Sequence, residues 1–292
     1  MPEVVRRRFR RSLRMALRWN RSRRVKALAY RVPFSRFHKV ARWLLWGEEV
    51  IDWRGVEVKV NPGLLLEYYA YFFGDYATAE IDKLIELCRH TRLFIDVGAN
   101  AGLFSLAAAH ACPTVSVVGF EPDRDMAARL RRNLARNGHL AERVRLVEKA
   151  VGDVDGSARF LPSTHPENPG LGRLAGCSED GRGYEVPVVR LDSFLEGGGR
   201  PDVVKIDVEG GELRVLRGMA GLFAMGRPRA ILVETHGFCF GAGAAAFTSD
   251  VVRELERAGF SVSYLRGWAW PALSDPSELS AHCHLLGVRA PR

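Results

Sequence analysis

The sequence predicts an α/β fold, a mostly parallel sheet of seven strands with helices on both faces. Three observations carry that prediction. Short apolar runs with an acid at or just past their carboxyl ends recur at Leu93–Val97, Val115–Phe120, Val203–Ile206 and Ala230–Val233. Each is too short for a helix and reads as a buried strand. Stretches of helical length separate them, including the Ala-rich Leu103–Ala111 and the Arg-rich Arg124–Asn137. Strands alternating with helices build a parallel sheet, and ligands of such sheets gather at the carboxyl ends of the strands. With 292 residues, 47% of them hydrophobic, the chain can bury a substantial core.

The stretch Leu93–Ser105 organises the rest. A strand ends in Asp96 and Val97, a loop carries Gly98, Asn100 and Gly102, and a helix follows. Glycine there permits positive φ and lets a ligand approach the backbone, while the free amides at the helix start favour an anionic group. The next strand ends in Glu121 and Pro122, where an acid can take two ribose hydroxyls. Asn100 replaces the middle glycine of a pyrophosphate loop. The wider loop, with an acid before it, suits an amino acid joined to a nucleoside, and S-adenosylmethionine is such a ligand. A third strand, Val144–Val147, leads to Asp153, placed to accept the adenine amino group.

Charge divides the chain. The net charge is +9, yet residues 1–42 hold fifteen Arg or Lys and a single acid, Glu3, so the remainder is mildly acidic. Leu13, Met15, Ala16, Leu17, Trp19 and later apolar residues recur among the arginines at helical intervals, which predicts an amphipathic helix. A solvated arm ranks first among its readings, an anionic membrane or acidic partner next, and nucleic acid last, since no aromatic-interleaved RNA motif occurs. The start lacks a secretory layout, no stretch reaches bilayer-spanning length, and five scattered cysteines fit a reduced compartment. The expectation is a cytoplasmic protein, with peripheral membrane contact left open.

The remaining elements follow in order. Val50–Val60 reads as a hairpin turning at Arg54–Gly55, and the aromatic run Leu64–Tyr76 as core or a pocket wall. Glu80–His90 has a helical apolar face. Residues 154–190 read as a hairpin with a long Gly/Pro/Ser-rich tip that reaches over the active site. A helix is expected over Glu212–Met225, another from a cap at Ser249 or Asp250 to Ala258, and closing strands at Phe260–Leu265 and His282–Val288. His282-Cys283-His284 reads as part of a core or edge strand. The expected organisation is a basic extension over residues 1–45 and one domain over 46–292. That domain divides into a cofactor half (80–155), the hairpin insertion (156–190) and an acceptor-side half (191–292).

Six segments, FIDVGANAG (94–102), FEP (120–122), KAVGD (149–153), RLDSF (190–194), IDVEGGELRVLRGM (206–219) and ILVETH (231–236), resemble in order and spacing the FkbM-type methyltransferases. That family lies within the Rossmann-like superfamily dependent on S-adenosylmethionine. The resemblance covers roughly residues 65–265 and is most specific in IDVEG-x-E followed by ILVE. It implies methyl transfer to an acceptor hydroxyl on a sugar, glycan, polyketide or other natural product.

Such transfer needs an acceptor oxygen aligned with the carbon–sulfur bond, and a base helps a neutral hydroxyl attack. Asp207 and His236, at adjacent strand ends, are the base candidates, with Glu209 and Glu234 orienting the acceptor. Cofactor binding is assigned to Asp96, Gly98, Asn100, Gly102, Glu121, Pro122 and Asp153. Asp207, Glu209, Glu234 and His236 also make an oxygen-rich set with one imidazole, but carboxylates at strand ends work without a metal, and none is assigned. Two other classes stand beside this one: an RNA methyltransferase gripping phosphates with the basic arm, and a non-catalytic cofactor-binding protein.

Overall fold

A computed structural model describes residues 2–19, 43–74, 76–175, 183–276 and 279–290. The chain divides into two compact units, Met1–Thr78 with Thr164–Pro169, and Ala79–Ser163 with Gly170–Arg292. No helix among the described residues is long and apolar enough to cross a membrane.

The first unit contains helix α1 (Glu3–Trp19), the antiparallel hairpin β1 (Glu49–Trp53) and β2 (Val56–Val60), and helix α2 (Leu65–Phe73). The hairpin turns at Arg54 and Gly55, whose φ values of 54° and 83° suit a two-residue turn matched to strand twist. Its alternation buries Ile51, Trp53, Val56, Val58 and Val60. The aromatic run forms α2 and supplies core through Tyr68, Tyr71 and Phe72.

Helix α1 corrects the expectation of a solvated arm, because it docks by its arginines. Arg10 is fully buried, with Nη2 donating to Glu3 Oε1 at 2.6 Å and to Glu49 Oε1 at 3.1 Å, and Nη1 donating to the Trp46 carbonyl at 2.7 Å. Arg11 reaches the other oxygen of Glu49 at 3.3 Å, and Arg14 stacks on Tyr71. A buried carboxylate needs such partners. The division expected at 45/46 therefore falls inside this unit. The rest of the arm, residues 20–42, lies outside the described residues.

The second unit holds the main sheet. Its strands are β3 (Leu93–Val97), β4 (Ser116–Phe120), β5 (Val144–Val147), β10 (Val203–Ile206), β11 (Ala230–His236), β12 (Ser261–Tyr264) and β13 (His282–Val288), in the order β12-β13-β11-β10-β3-β4-β5. β13 alone runs antiparallel to its neighbours β11 and β12. Helices α3 (Thr78–Cys88), α4 (Leu103–Ala111) and α5 (Arg124–Arg136) join the early strands. The core runs through Ile95, Val97, Phe120, Val204, Ile206, Ile231, Val233 and Leu285, all nearly inaccessible.

A separate four-stranded sheet, ordered β6-β9-β7-β8, forms from β6 (Ala150–Val151), β7 (Gly156–Leu161), β8 (Arg173–Leu174) and β9 (Tyr184–Val189). β7 and β9 make the expected hairpin. Part of its tip, residues 176–182, lies outside the described residues, and Thr164–Pro169 group with the first unit.

One helix has no counterpart in the expected elements, and two expected helix boundaries differ. A single turn, α6 (Leu191–Phe194), follows β9. The helix expected over Glu212–Met225 is two, α7 (Glu212–Arg217) and α8 (Ala220–Ala224). The break falls at Gly218, where a Cβ would meet the Gly152 carbonyl oxygen at 2.0 Å, a long-range contact that propensity cannot register. Helix α9 (Ala244–Arg257) starts well before Ser249, directly after a 3-10 segment over Gly237–Gly243.

Candidate active site

Strand register decides which polar side chains meet. Asp96 on β3 pairs with Lys205 on β10, and β10 stays in step with β11 as far as Ile206 and Val233, so Asp207 follows beside Glu234. Alternation sets Glu234 and His236 on one face of β11. β13 then brings His282 opposite His236 and His284 opposite Glu234.

On the cofactor side, Glu121 is almost fully enclosed and accepts two backbone hydrogen bonds, from Asn100 at 2.7 Å and Asp123 at 2.8 Å. These fix its carboxylate against the 98–102 loop. Gly98, Asn100 and Gly102 all have positive φ, at 80°, 52° and 86°. A Cβ on Gly98 would meet the Asp207 carbonyl oxygen at 1.8 Å, so the loop is pressed against the β10 end. Burial pushes Glu121 up to about 7, against the lowering effect of the Asp123 and Asn100 amides. Pro122 and Asp153 are half-buried nearby in sequence and strand order.

Asp96 departs from its expected place. It is fully buried, Ser105 Oγ donates to its Oδ2 at 2.6 Å, and its Oδ1 faces Lys205 Nζ at 3.6 Å. The carboxylate has no exposed surface, and its contacts are to Ser105 and Lys205. Lys205 in turn donates to Asp207 at 3.0 Å and lies over the Phe104 ring. Burial opposes its charge, but Asp207 and Asp96 outweigh that and hold its pKa above the usual lysine value.

Four carboxylates surround His236. Nδ1 lies 2.7 Å from Glu212 Oε1, while Nε2 has Glu209 Oε1 at 3.5 Å, Glu234 Oε1 at 3.6 Å and Asp207 Oδ1 at 3.8 Å. Burial disfavours the charged ring, yet Glu212 and Glu234, with Asp207 and Glu209, raise it to about 12. The surrounding carboxylates favour the charged form of the ring. Burial raises Glu209 to about 8, opposed by His236. Burial also acts to raise Glu234, but His236 and His282, the latter at 2.8 Å, hold it well below the usual carboxylate range. Glu209 has a φ of 52°, in the left-handed region that a non-glycine residue rarely adopts. Such strain concentrates at functional sites.

Two donor sets have the spacing a divalent cation would use, Glu234/His236/His282 and Asp207/Glu209/His236, each with ligand atoms within 4.8 Å of one another. Their hydrogen bonds and ion pairs to one another already account for this closeness. Sequence reasoning missed Lys205 and the pairing of Glu212 with His236. A lysine inside the apolar run Val203–Ile206 was the available signal, since lysine is almost never fully buried without a partner. The reading of His282-Cys283-His284 as part of a core or edge strand holds in its core form, since β13 is interior, but the contacts of both histidines with Glu234 were not foreseen.

The strand order, the glycine loop and the acids at the carboxyl ends of β4, β10 and β11 define a Rossmann-like α/β domain of the methyltransferase class. Residues 96–262 match the family model described as the methyltransferase FkbM domain, and the chain belongs to that family. Its similar proteins include the hexuronic acid methyltransferase AglP of Haloferax volcanii, 30% identical over 187 residues, which are 62% of this chain and 68% of AglP. The methyltransferase sdnD of Sordaria araneosa is 32% identical over 43% of this chain and 59% of sdnD. The AMB antimetabolite synthetase AmbE of Pseudomonas aeruginosa is 32% identical over 58% of this chain, a stretch that spans only 9% of AmbE. Among solved structures, the FkbM methyltransferase of Methylobacillus flagellatus KT aligns at a TM-score of 0.44 and 16% identity, over 68% of this chain and 43% of that one.

Proposed function

We infer that the chain transfers a methyl group from S-adenosylmethionine to a hydroxyl of a sugar, glycan, polyketide or related natural product. The single observation that carries this reading is the arrangement of Glu121 and the Asp207–Glu209–His236 cluster on either side of β3 within a FkbM methyltransferase domain. AglP is named for a hexuronic acid, which favours a sugar hydroxyl.

The residues present fit the cofactor. Glu121 is anchored by two backbone amides and keeps lone pairs for two vicinal hydroxyls. Gly98, Asn100 and Gly102 hold the loop in a positive-φ backbone whose amides are satisfied internally, Gly98 and Ala99 on the Phe120 carbonyl and Asn100 on Glu121. Pro122 and Asp153 flank the adenine end in this reading. The bound cofactor supplies the electrophilic methyl group, and the chain's residues align the acceptor and take its proton.

In this reading the proton acceptor is a carboxylate rather than His236, because the four carboxylates around the ring favour its charged form. Glu209, raised to about 8, has a basicity suited to neutral pH. His236 and Lys205 hold the carboxylates in place, and Asp207 and Glu234 orient the acceptor. The test is incubation of the purified chain with methyl-labelled S-adenosylmethionine and sugar, lipid-linked glycan, polyketide and RNA acceptors. Label on a hydroxyl of the first three supports the reading. Label confined to RNA would make the chain an RNA methyltransferase, and cofactor binding with no transfer would leave a non-catalytic binding protein.

A further inference from the structure

Helix α1 is inverted with respect to an ordinary surface helix. Its inward side is charged: Arg10 is fully buried on Glu3 and Glu49, Arg14 lies over Tyr71, and Arg6 lies over Trp43. Its outward side carries Val4 (65% exposed), Val5 (47%), Phe9 (44%) and Met15 (63%). At 3.6 residues per turn, Val5 and Phe9 share one row and Val4 and Met15 another. The exposed Arg8 and Ser12 lie between those rows. Arg7 and Arg11, each with more than half of its side chain in solvent, run along the flank beside Val4 and Met15. The helix has one acid, Glu3, and Arg6 and Arg10 hold it on the inward side.

We propose that this outward face of α1 docks on an anionic lipid bilayer, lying in the plane of the interface. A helix that presents large apolar side chains between and beside arginines, with no acid among them, matches such a surface on both counts. The apolar groups enter the acyl boundary and the arginines meet lipid phosphates. Residues 1–42 add charge of the right sign, with fifteen basic residues against one acid. A nucleic acid would use the arginines alone and leave Val5, Phe9 and Met15 in water. Docking on Glu49 matters here, because it commits Arg10 inward, holds Arg7 and Arg11 at the flank and leaves the apolar rows outside.

The experiment is sedimentation of the full chain with phosphatidylcholine vesicles, with and without roughly one-third phosphatidylglycerol. Binding to the anionic vesicles at least tenfold stronger than to the neutral ones is expected, weakened but not abolished by salt. The double variant Phe9→Ser, Met15→Ser changes only exposed side chains and should bind at least tenfold more weakly at an unchanged Tm. Circular dichroism confirms that it is folded. Equal binding by the variant and the parent would overturn the proposal, since charge alone would then account for the contact. So would absence of vesicle binding, or retention of an RNA homopolymer in preference to vesicles in competition.

Discussion

The Nδ1 atom of His236 lies 2.7 Å from Oε1 of Glu212, and both side chains are almost entirely shut off from solvent. A buried carboxylate thus fixes one ring nitrogen and aims the other at Glu209, Glu234 and Asp207. Breaking a buried pair leaves a charge uncompensated and costs about 3–5 kcal/mol. Glu212→Gln is therefore expected to destabilise the protein by roughly that amount in urea denaturation. The pH dependence has a definite sign. His236 is raised from 6.5 to about 12, so its contribution is complete below pH 6.5 and is lost as pH rises toward 12. The difference between parent and variant should shrink across that alkaline range.

If Glu121 holds the cofactor as proposed, affinity depends on pH. Its pKa of about 7 without cofactor means that the acceptor form of the carboxylate fills as pH rises through neutrality. Calorimetry should show S-adenosylmethionine binding more tightly at pH 8 than at pH 6. Glu121→Gln should flatten the profile and lower affinity by about ten- to a hundredfold at pH 8.

Replacing Glu209 separates chemistry from binding. Loss of a general base is worth about 10²–10⁴ in rate. Turnover of Glu209→Gln is expected to fall by that factor with cofactor affinity nearly intact, and the parent rate should climb with pH up to about 8. Unchanged turnover in the variant would leave alignment as the source of catalysis.

Gly98 tests the loop. An alanine there places its Cβ on the Asp207 carbonyl and adds the cost of a positive φ, about 1–2 kcal/mol for the backbone conformation alone. Gly98→Ala is expected to lower Tm and abolish measurable cofactor binding by calorimetry. Gly138→Ala, in open space, should alter neither.

Deleting residues 1–19 tests the arm as a structural element. Glu49 would keep its buried carboxylate and lose Arg7, Arg10 and Arg11 together. Destabilisation of the hairpin unit by about 3 kcal/mol or more is expected, read as a lowered urea midpoint.

The sheet was legible because its strands are written in apolar runs that periodicity resolves, down to His282–Val288, whose limits the structure repeats. That Glu121 lies against the loop was legible from its distance behind it. The direction in which α1 faces was not. A helical wheel shows that arginines and apolar groups segregate, but only Glu49, far along the chain, decides which side turns inward. Lys205 hid inside an apolar run, and the break at Gly218 depends on the backbone of Gly152. Each of these is a contact between distant parts of the chain, which local pattern cannot carry.

The strand order β12-β13-β11 has a consequence for how the protein folds. Strand β12 precedes β13 in the chain, yet bonds to the sheet only through it. Until β13 inserts, β12 has only the 271–273 segment beside it, β11 has an open edge, and Glu234 lacks His282 and His284. Adding β13 to the sheet therefore coincides with pairing Glu234 to His282, 48 residues away, and pairing at such separations is slower than local pairing. During refolding, cofactor affinity at Glu121 should recover before the acceptor side does, because β3, β4 and β5 are assembled from neighbouring segments.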